Sequence, residues 1–147
     1  MNLELSQEII LSHFKSPACK VPADSRSDWQ CLKNPLCGDI IRLQWERDEK
    51  SPALQWVQAT EGCAVATASA SILCERLNGL DPSAAQDLIQ TFLTHMNAPS
   101  DSNPSTAALP EEMQALLLYR AHPARKTCAM LAWSCAQNAL AGAFRKT

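Results

Sequence analysis

The sequence predicts an α+β fold, with a small antiparallel sheet followed by helices. Three observations predict it. Residues 40–47 alternate, with Ile41, Leu43 and Trp45 on one face and Arg42, Gln44 and Glu46 on the other. That period belongs to a half-buried strand. A second strand-like run, about residues 53–60, follows the turn cluster at 48–52 and completes a hairpin. From residue 64 onward the spacing is helical, in segments parted by Gly79, a loop at 97–105 and His122-Pro123. Strands in one part of the chain and helices in another place the helices on one face of the sheet.

Taken in order, residues 3–14 carry apolar positions at Leu3, Leu5, Ile9, Ile10 and Phe14, the pattern of a short amphipathic helix. Ser16-Pro17 ends it. His13, near its end, reads as a helix-end or core-packing histidine. Residues 18–33 are irregular. Cys19 and Cys31 fall there at no motif position and read as incidental thiols. The second strand, which includes the polar Gln58, has poorer periodicity than the first. Residues 64–78 are rich in Ala, Ser and Leu and stop at Gly79, a tightly packed helix. Cys74 reads as a buried structural thiol on it. Asp81-Pro82 is an N-cap with a first-turn proline, opening a helix that ends near Met96. His95 reads as a solvated or C-terminal-turn residue. Residues 97–105 are polar and proline-bearing, a loop. A short helix starts at Pro110-Glu111-Glu112, and His122-Pro123 separates it from a last helix over 124–144. Cys135 reads as core. No internal repeat is present.

The chain of 147 residues is long enough for one domain with a real core. A net charge of −2 leaves no nucleic-acid footprint. No apolar run approaches the roughly 18 residues of a membrane span, and no signal peptide is evident. Seven cysteines, an odd count, read as thiols kept for metal or sulfur chemistry in a reducing cytoplasm.

The chemistry gathers around Asn34-Pro35-Leu36-Cys37-Gly38-Asp39 and two distant thiols, Cys63 and Cys128. Three soft sulfurs and one carboxylate suit a tetrahedral zinc, with the ligands drawn from three separated segments. Cys63 and Cys128 both read as helix-start residues, where the dipole favours the thiolate and prepares it for metal. Gly38 lets the chain turn tightly between Cys37 and Asp39. On the residues alone, ordinary buried thiols and a turn carboxylate fit this pattern as well as a metal site does.

Three motifs in register resemble the IscU-like iron–sulfur assembly proteins. They are N-P-x-C-G-D at 34–39, E-G-C at 61–63 followed by A-x-A-S-A-S, and C-A-x-L-A-W from Cys128. The segment I-I-L-S-H-F-K-S-P at 9–17 extends the similarity over nearly the whole chain, read as one domain over 1–147. The closer resemblance is to the SufU branch. Thr127 stands where IscU-type scaffolds carry a histidine, and the long interval from Cys63 to Cys128 accommodates the SufU-type insertion, with 97–122 inside it.

The resemblance implies a three-stranded antiparallel sheet, its third strand near residues 25–33, with the metal site at one exposed end. It implies Zn²⁺ held by Cys37, Asp39, Cys63 and Cys128, with a net site charge of about −2. Arg125, in a P-A-R-x-x-C segment resembling the SufU pattern, is the implied charge compensator. The implied activity is acceptance of persulfide sulfur from a pyridoxal-phosphate cysteine desulfurase of SufS type, which the protein also stimulates, for a downstream iron–sulfur scaffold. Cys37 is the implied acceptor, since a loop thiol leaves a metal more readily than one anchored on a helix. Two other readings remain open here. One is a scaffold that holds a transient [2Fe–2S] cluster on the same residues. The other is a structural zinc module that only binds partners.

Overall fold

The computed structural model describes residues 2–47, 49–99 and 109–145, and among these residues it has five α-helices, three strands and two 3-10 turns. Helix α1 spans Leu3–Lys15, and the Asn2 side chain caps it by accepting from the Leu5 N–H at 2.7 Å. Strands β1 (Gln30–Lys33), β2 (Ile40–Arg47) and β3 (Leu54–Gln58) form an antiparallel sheet in that order. Leu32 pairs with Ile41, and Trp45 with Trp56. The strand implied near 25–33 is thus confined to its last four residues.

The expectation of a poorly periodic β3 is corrected. Leu54, Trp56 and Gln58 are all buried and share one face. Gln58 fits because both ends of its amide are satisfied. Its Nε2 donates to the Ala18 carbonyl at 3.0 Å, and its Oε1 accepts from the Thr60 N–H at 3.1 Å. A polar side chain with all its bonds made is tolerated in an apolar register.

Helix α2 (Ala64–Leu77) is nearly all Ala, Ser and small apolar residues, so neighbours approach it closely, and most of its residues are buried. It packs on α1, on β3 and on the long last helix α5 (Pro123–Arg145), which itself lies across β1 and β2. Both α2 and α5 therefore cover the sheet. Ser69 joins them: its hydroxyl donates to the Ala129 carbonyl at 2.6 Å and accepts from Trp133 Nε1 at 2.9 Å. Trp133 in turn meets Phe92 at a ring-centroid distance of 4.4 Å, which seats α3 (Pro82–Asn97) against α5. The other sheet face carries polar side chains, among them the Arg42–Glu61 pair at 3.3 Å.

The short helix α4 (Glu111–Leu116) continues as a 3-10 turn, Leu117–Tyr119, where one helix was expected. It is tied to the body by charge. Glu112 pairs with Arg76 at 2.9 Å and faces His13 Nε2 at 3.4 Å, while His13 Nδ1 meets the buried Ser71 hydroxyl at 2.7 Å. His13 is thus a polar link between helices. Asp48 and most of the loop expected at 97–105 lie outside the described residues. No helix among the described residues is long and apolar enough to cross a membrane.

Candidate metal centre

The turn before β2 is built by Asn34. Its side-chain oxygen accepts from the Leu36 N–H at 3.1 Å, an Asx turn, and its carbonyl accepts from Gly38 N–H at 2.8 Å. Gly38 closes the turn at φ +72°, a left-handed conformation that favours glycine. The turn leaves Cys37 exposed beside Leu36, which is 84% exposed, and turns Asp39 fully inward, at 0%. Cys63 is the N-cap of α2, its sulfur accepting from the Ala66 N–H at 3.4 Å. Cys128 lies on α5.

These four residues meet. The ligating atoms of Cys37, Asp39 and Cys128 all lie within 4.8 Å of one another. Cys63 Sγ is 3.9 Å from Asp39 Oδ2 and also contacts Cys128. The Cys128 and Cys37 sulfurs are 3.9 Å apart, close to the roughly 3.8 Å between two sulfurs on one tetrahedral zinc at normal bond lengths. The donor types suit one tetrahedral ion, and the spacing of Cys37, Asp39 and Cys128 fits it, with Cys63 joined to them through Asp39 and Cys128. Cys63 is the outlying member, because its sulfur is not in the group of Cys37, Asp39 and Cys128; Cys37 is the exposed one.

One expectation is corrected. Cys128 is not at a helix start. The helix begins at Pro123, and Cys128 lies in its second turn, 1% exposed. Burial, then hydrogen bonds with Asp39 and Cys63, push its thiol above the ordinary value. Only Cys63 has the N-terminal placement that was expected of both. Arg125 is exposed in the first turn of α5, and no hydrogen bond or ion pair joins it to the four residues. It acts on Tyr119, whose phenol burial pushes up, with Arg125 opposing and Cys63 adding to the rise. Tyr119 thus borders the site, and nothing in its sequence context marks it.

Elsewhere, His13, Glu75 and Glu112 form a second group of possible ligands, but Arg76 already pairs with Glu112 there. Cys74 and Cys135 are fully buried. Cys135 donates to the Gln30 carbonyl at 3.4 Å, and burial pushes its thiol up to about 12.

Residues 5–147 match the family described as the NifU-like N terminal domain. The chain belongs to that family. Among curated proteins it is 28% identical, over 93% of its own length and 90% of the other's, to the zinc-dependent sulfurtransferase SufU of Bacillus subtilis. It is 29% identical, over 92% of its length and 82% of the other's, to the iron–sulfur cluster assembly scaffold protein IscU of Streptococcus pyogenes. Its fold is that of a crystal structure of an iron–sulfur cluster assembly scaffold protein for the SUF system from Fervidobacterium islandicum AW-1. The TM-score is 0.73 at 20% identity, covering 90% of this chain and 94% of that one.

Two residues shape the site of this NifU-like domain without being ligands, and both lie inside the motifs that carry the ligands. Asn34 is buried. Its Nδ2 donates to Asp39 Oδ2 at 3.4 Å and to Cys128 Sγ at 3.6 Å, bridging two segments. Gly62 lies directly against the Asp39 carboxylate, so that a Cβ there would collide with Oδ1 and crowd the rest of the side chain. Gly62→Ala is therefore expected to push Asp39 out of place, costing about 1–3 kcal/mol of stability and most of the metal affinity. Zinc titration and thermal melts of the variant check this; wild-type affinity would show that Asp39 can shift freely.

Proposed function

We propose that this chain is a zinc-dependent sulfur-transfer protein that accepts persulfide sulfur from a pyridoxal-phosphate cysteine desulfurase of SufS type. It then hands the sulfur to a downstream iron–sulfur scaffold in the cytoplasm. Membership of the iron–sulfur assembly family supports the setting. The observation that carries the reading is the asymmetry of the cluster. Asp39 and Cys128 are buried, while Cys37 is exposed on a glycine-hinged turn.

Cys37, Asp39, Cys63 and Cys128 are the residues that would hold zinc. Zinc, when bound, keeps the thiols deprotonated at neutral pH. Asp39 is oriented by the Cys63 N–H, which donates to its Oδ1 at 2.9 Å, and by Asn34. Cys37 swings outward on Gly38 while Asp39, Cys63 and Cys128 stay anchored on β2, α2 and α5. The freed Cys37 thiolate attacks the outer sulfur of the desulfurase persulfide. A new S–S bond forms at Cys37, the old S–S bond breaks, and the desulfurase cysteine leaves as a thiolate, in the manner of thiol–disulfide exchange. Arg125 supplies positive charge at the rim of the site, offsetting a net site charge of about −2. Thr127 supports sulfur transfer over cluster holding, because its hydroxyl is exposed and donates to the Pro123 carbonyl at 3.1 Å, so it adds no further ligand.

Two measurements test the reading together. The metal content of the purified protein should be a single zinc with no visible absorption. Alanine release by a cysteine desulfurase should rise several-fold when the protein is added. Coloured protein would favour the [2Fe–2S] scaffold. Zinc with unchanged alanine release would leave only a structural module.

A further inference from the structure

Three unusual features of this fold converge on one place, far from the metal centre. The first is Cys19, whose backbone sits at φ +59°, a region that non-glycine residues rarely adopt. The second is the buried polar Gln58, which holds that backbone from both sides. Its N–H donates to the Cys19 carbonyl at 3.0 Å, its side chain donates to the Ala18 carbonyl at 3.0 Å, and its own carbonyl accepts from the Val21 N–H at 2.9 Å. The buried Ser71 hydroxyl adds a fourth tie, accepting from the Ala18 N–H at 2.7 Å. The third is the setting of the Cys19 sulfur. It lies against the buried Cys74 sulfur and accepts from Asn78 Nδ2 at 3.1 Å. Asn78 cannot present its oxygen instead, because that oxygen is already taken by the Trp56 N–H.

We propose that Cys19 and Cys74 form a second, oxidisable dithiol site that reacts with small hydroperoxides, Cys19 being attacked first and Cys74 closing the disulfide. Cys19 is half-exposed and Cys74 fully buried, so the reagent reaches only Cys19. Cys74 follows Cys63 by eleven residues on α2, which sets the two sites roughly 16 Å apart along the helix. The backbone ties keep Cys19 facing Cys74, and two donors lie at its sulfur. The hydrogen bond from Cys74, then that from Asn78, lower the Cys19 thiol to about 6 against burial and the nearby Glu75. A thiolate at neutral pH with a resolving thiol beside it has the attributes of a redox-reactive cysteine.

The chemistry balances without a further reactant. The Cys19 thiolate attacks the terminal peroxide oxygen, the O–O bond breaks, and the alkoxide or hydroxide leaves and takes a proton. Cys19 is then a sulfenic acid. The Cys74 sulfur attacks the Cys19 sulfur, the S–S bond forms, the S–O bond breaks, and the departing hydroxide takes the Cys74 proton as water. The two thiols lose two electrons and the peroxide gains them. An added dithiol reductant restores the pair.

The test uses zinc-loaded full-length protein and one equivalent of hydrogen peroxide at pH 7, with disulfides mapped by peptide mass spectrometry. The expected product is a Cys19–Cys74 crosslink with zinc retained. Cys74→Ser should stop at a sulfenic acid on Cys19, trapped by a 1,3-diketone, and Cys19→Ser should leave Cys74 reduced. Relative to an unstructured cysteine peptide, the alkylation rate of Cys19 should rise more than about tenfold as pH falls from roughly 8.5 to 6. The proposal is overturned if wild-type protein crosslinks only among Cys37, Cys63 and Cys128, or releases zinc while Cys19 and Cys74 stay reduced. The wild-type map decides this even where a variant folds poorly.

Discussion

Cys37→Ser is expected to lower sulfur uptake from the desulfurase by at least roughly a hundredfold, the scale on which loss of an activated nucleophile registers. The physical case rests on access and anchorage. Of the three clustered thiols, Cys128 is 1% exposed and rooted in a helix that packs on two strands. Cys63 caps α2, where its sulfur is held by the Ala66 N–H and its backbone N–H is held by Asp39. Cys37 is exposed, with its sulfur 3.9 Å from that of Cys128. Its turn is closed by a glycine at φ +72°, which rotates at little cost. A partner's persulfide can therefore approach Cys37 while the remaining three residues keep their positions. The check is to incubate the protein with desulfurase and free cysteine, then locate the reductant-reversible added sulfur by peptide mass spectrometry. Sulfur found on Cys63 or Cys128, or a Cys37→Ser protein that takes up sulfur at the wild-type rate, would sink the assignment.

Removal of the metal is expected to lower the melting temperature by about 10 °C. The four residues come from the turn before β2, the cap of α2 and the second turn of α5, so a shared ion would tie three segments together. An ion present at a thousand times its dissociation constant contributes about 4 kcal/mol, and each kcal/mol moves the melt of a domain this size by roughly 2–4 °C. Without the ion, the buried Asp39 carboxylate keeps the Cys63 N–H, the Cys63 and Cys128 thiols and the Asn34 amide as partners. Burial, then hydrogen bonds with Asp39 and Cys63, hold the neighbouring Cys128 thiol above its ordinary value, so the cluster loses its thiolates as well. Melts recorded with and without a strong chelator measure the effect. Asp39→Ala should melt low and ignore the chelator. Superimposable melts of loaded and chelated wild type would rule out a stabilising ion.

Much of this architecture is legible before any coordinates. The alternation at 40–47 marks β2, and Asp81-Pro82 marks the start of α3, because each depends on neighbours a few residues away. The four clustered residues are legible as well, through motifs that hold their spacing. Other features resist such reading. β3 looks weak because the partners of Gln58 lie partly outside its strand, at Ala18. Cys128 looks like a helix-start thiol, but with α5 running from Pro123, close to the expected start at 124, it lies in the second turn and is buried. Cys19 looks incidental because its partners, Cys74 and Asn78, are more than fifty residues distant in the chain.

By itself the sequence determined the α+β class, the family of the chain and the four residues that gather at its centre. The class follows from local periodicity and capping residues, which act over a turn or two of chain, while the family and the four residues follow from the resemblance that three motifs carry. Only the tertiary structure decided that Cys37 faces solvent while Cys128, 91 residues away, is buried beside it. It also decided that Asn34 and Gly62 frame Asp39, and that Cys19 meets Cys74. Burial and contact between distant residues depend on how α2 and α5 pack over the sheet. That packing is set by the whole core together, so no short stretch of sequence encodes it.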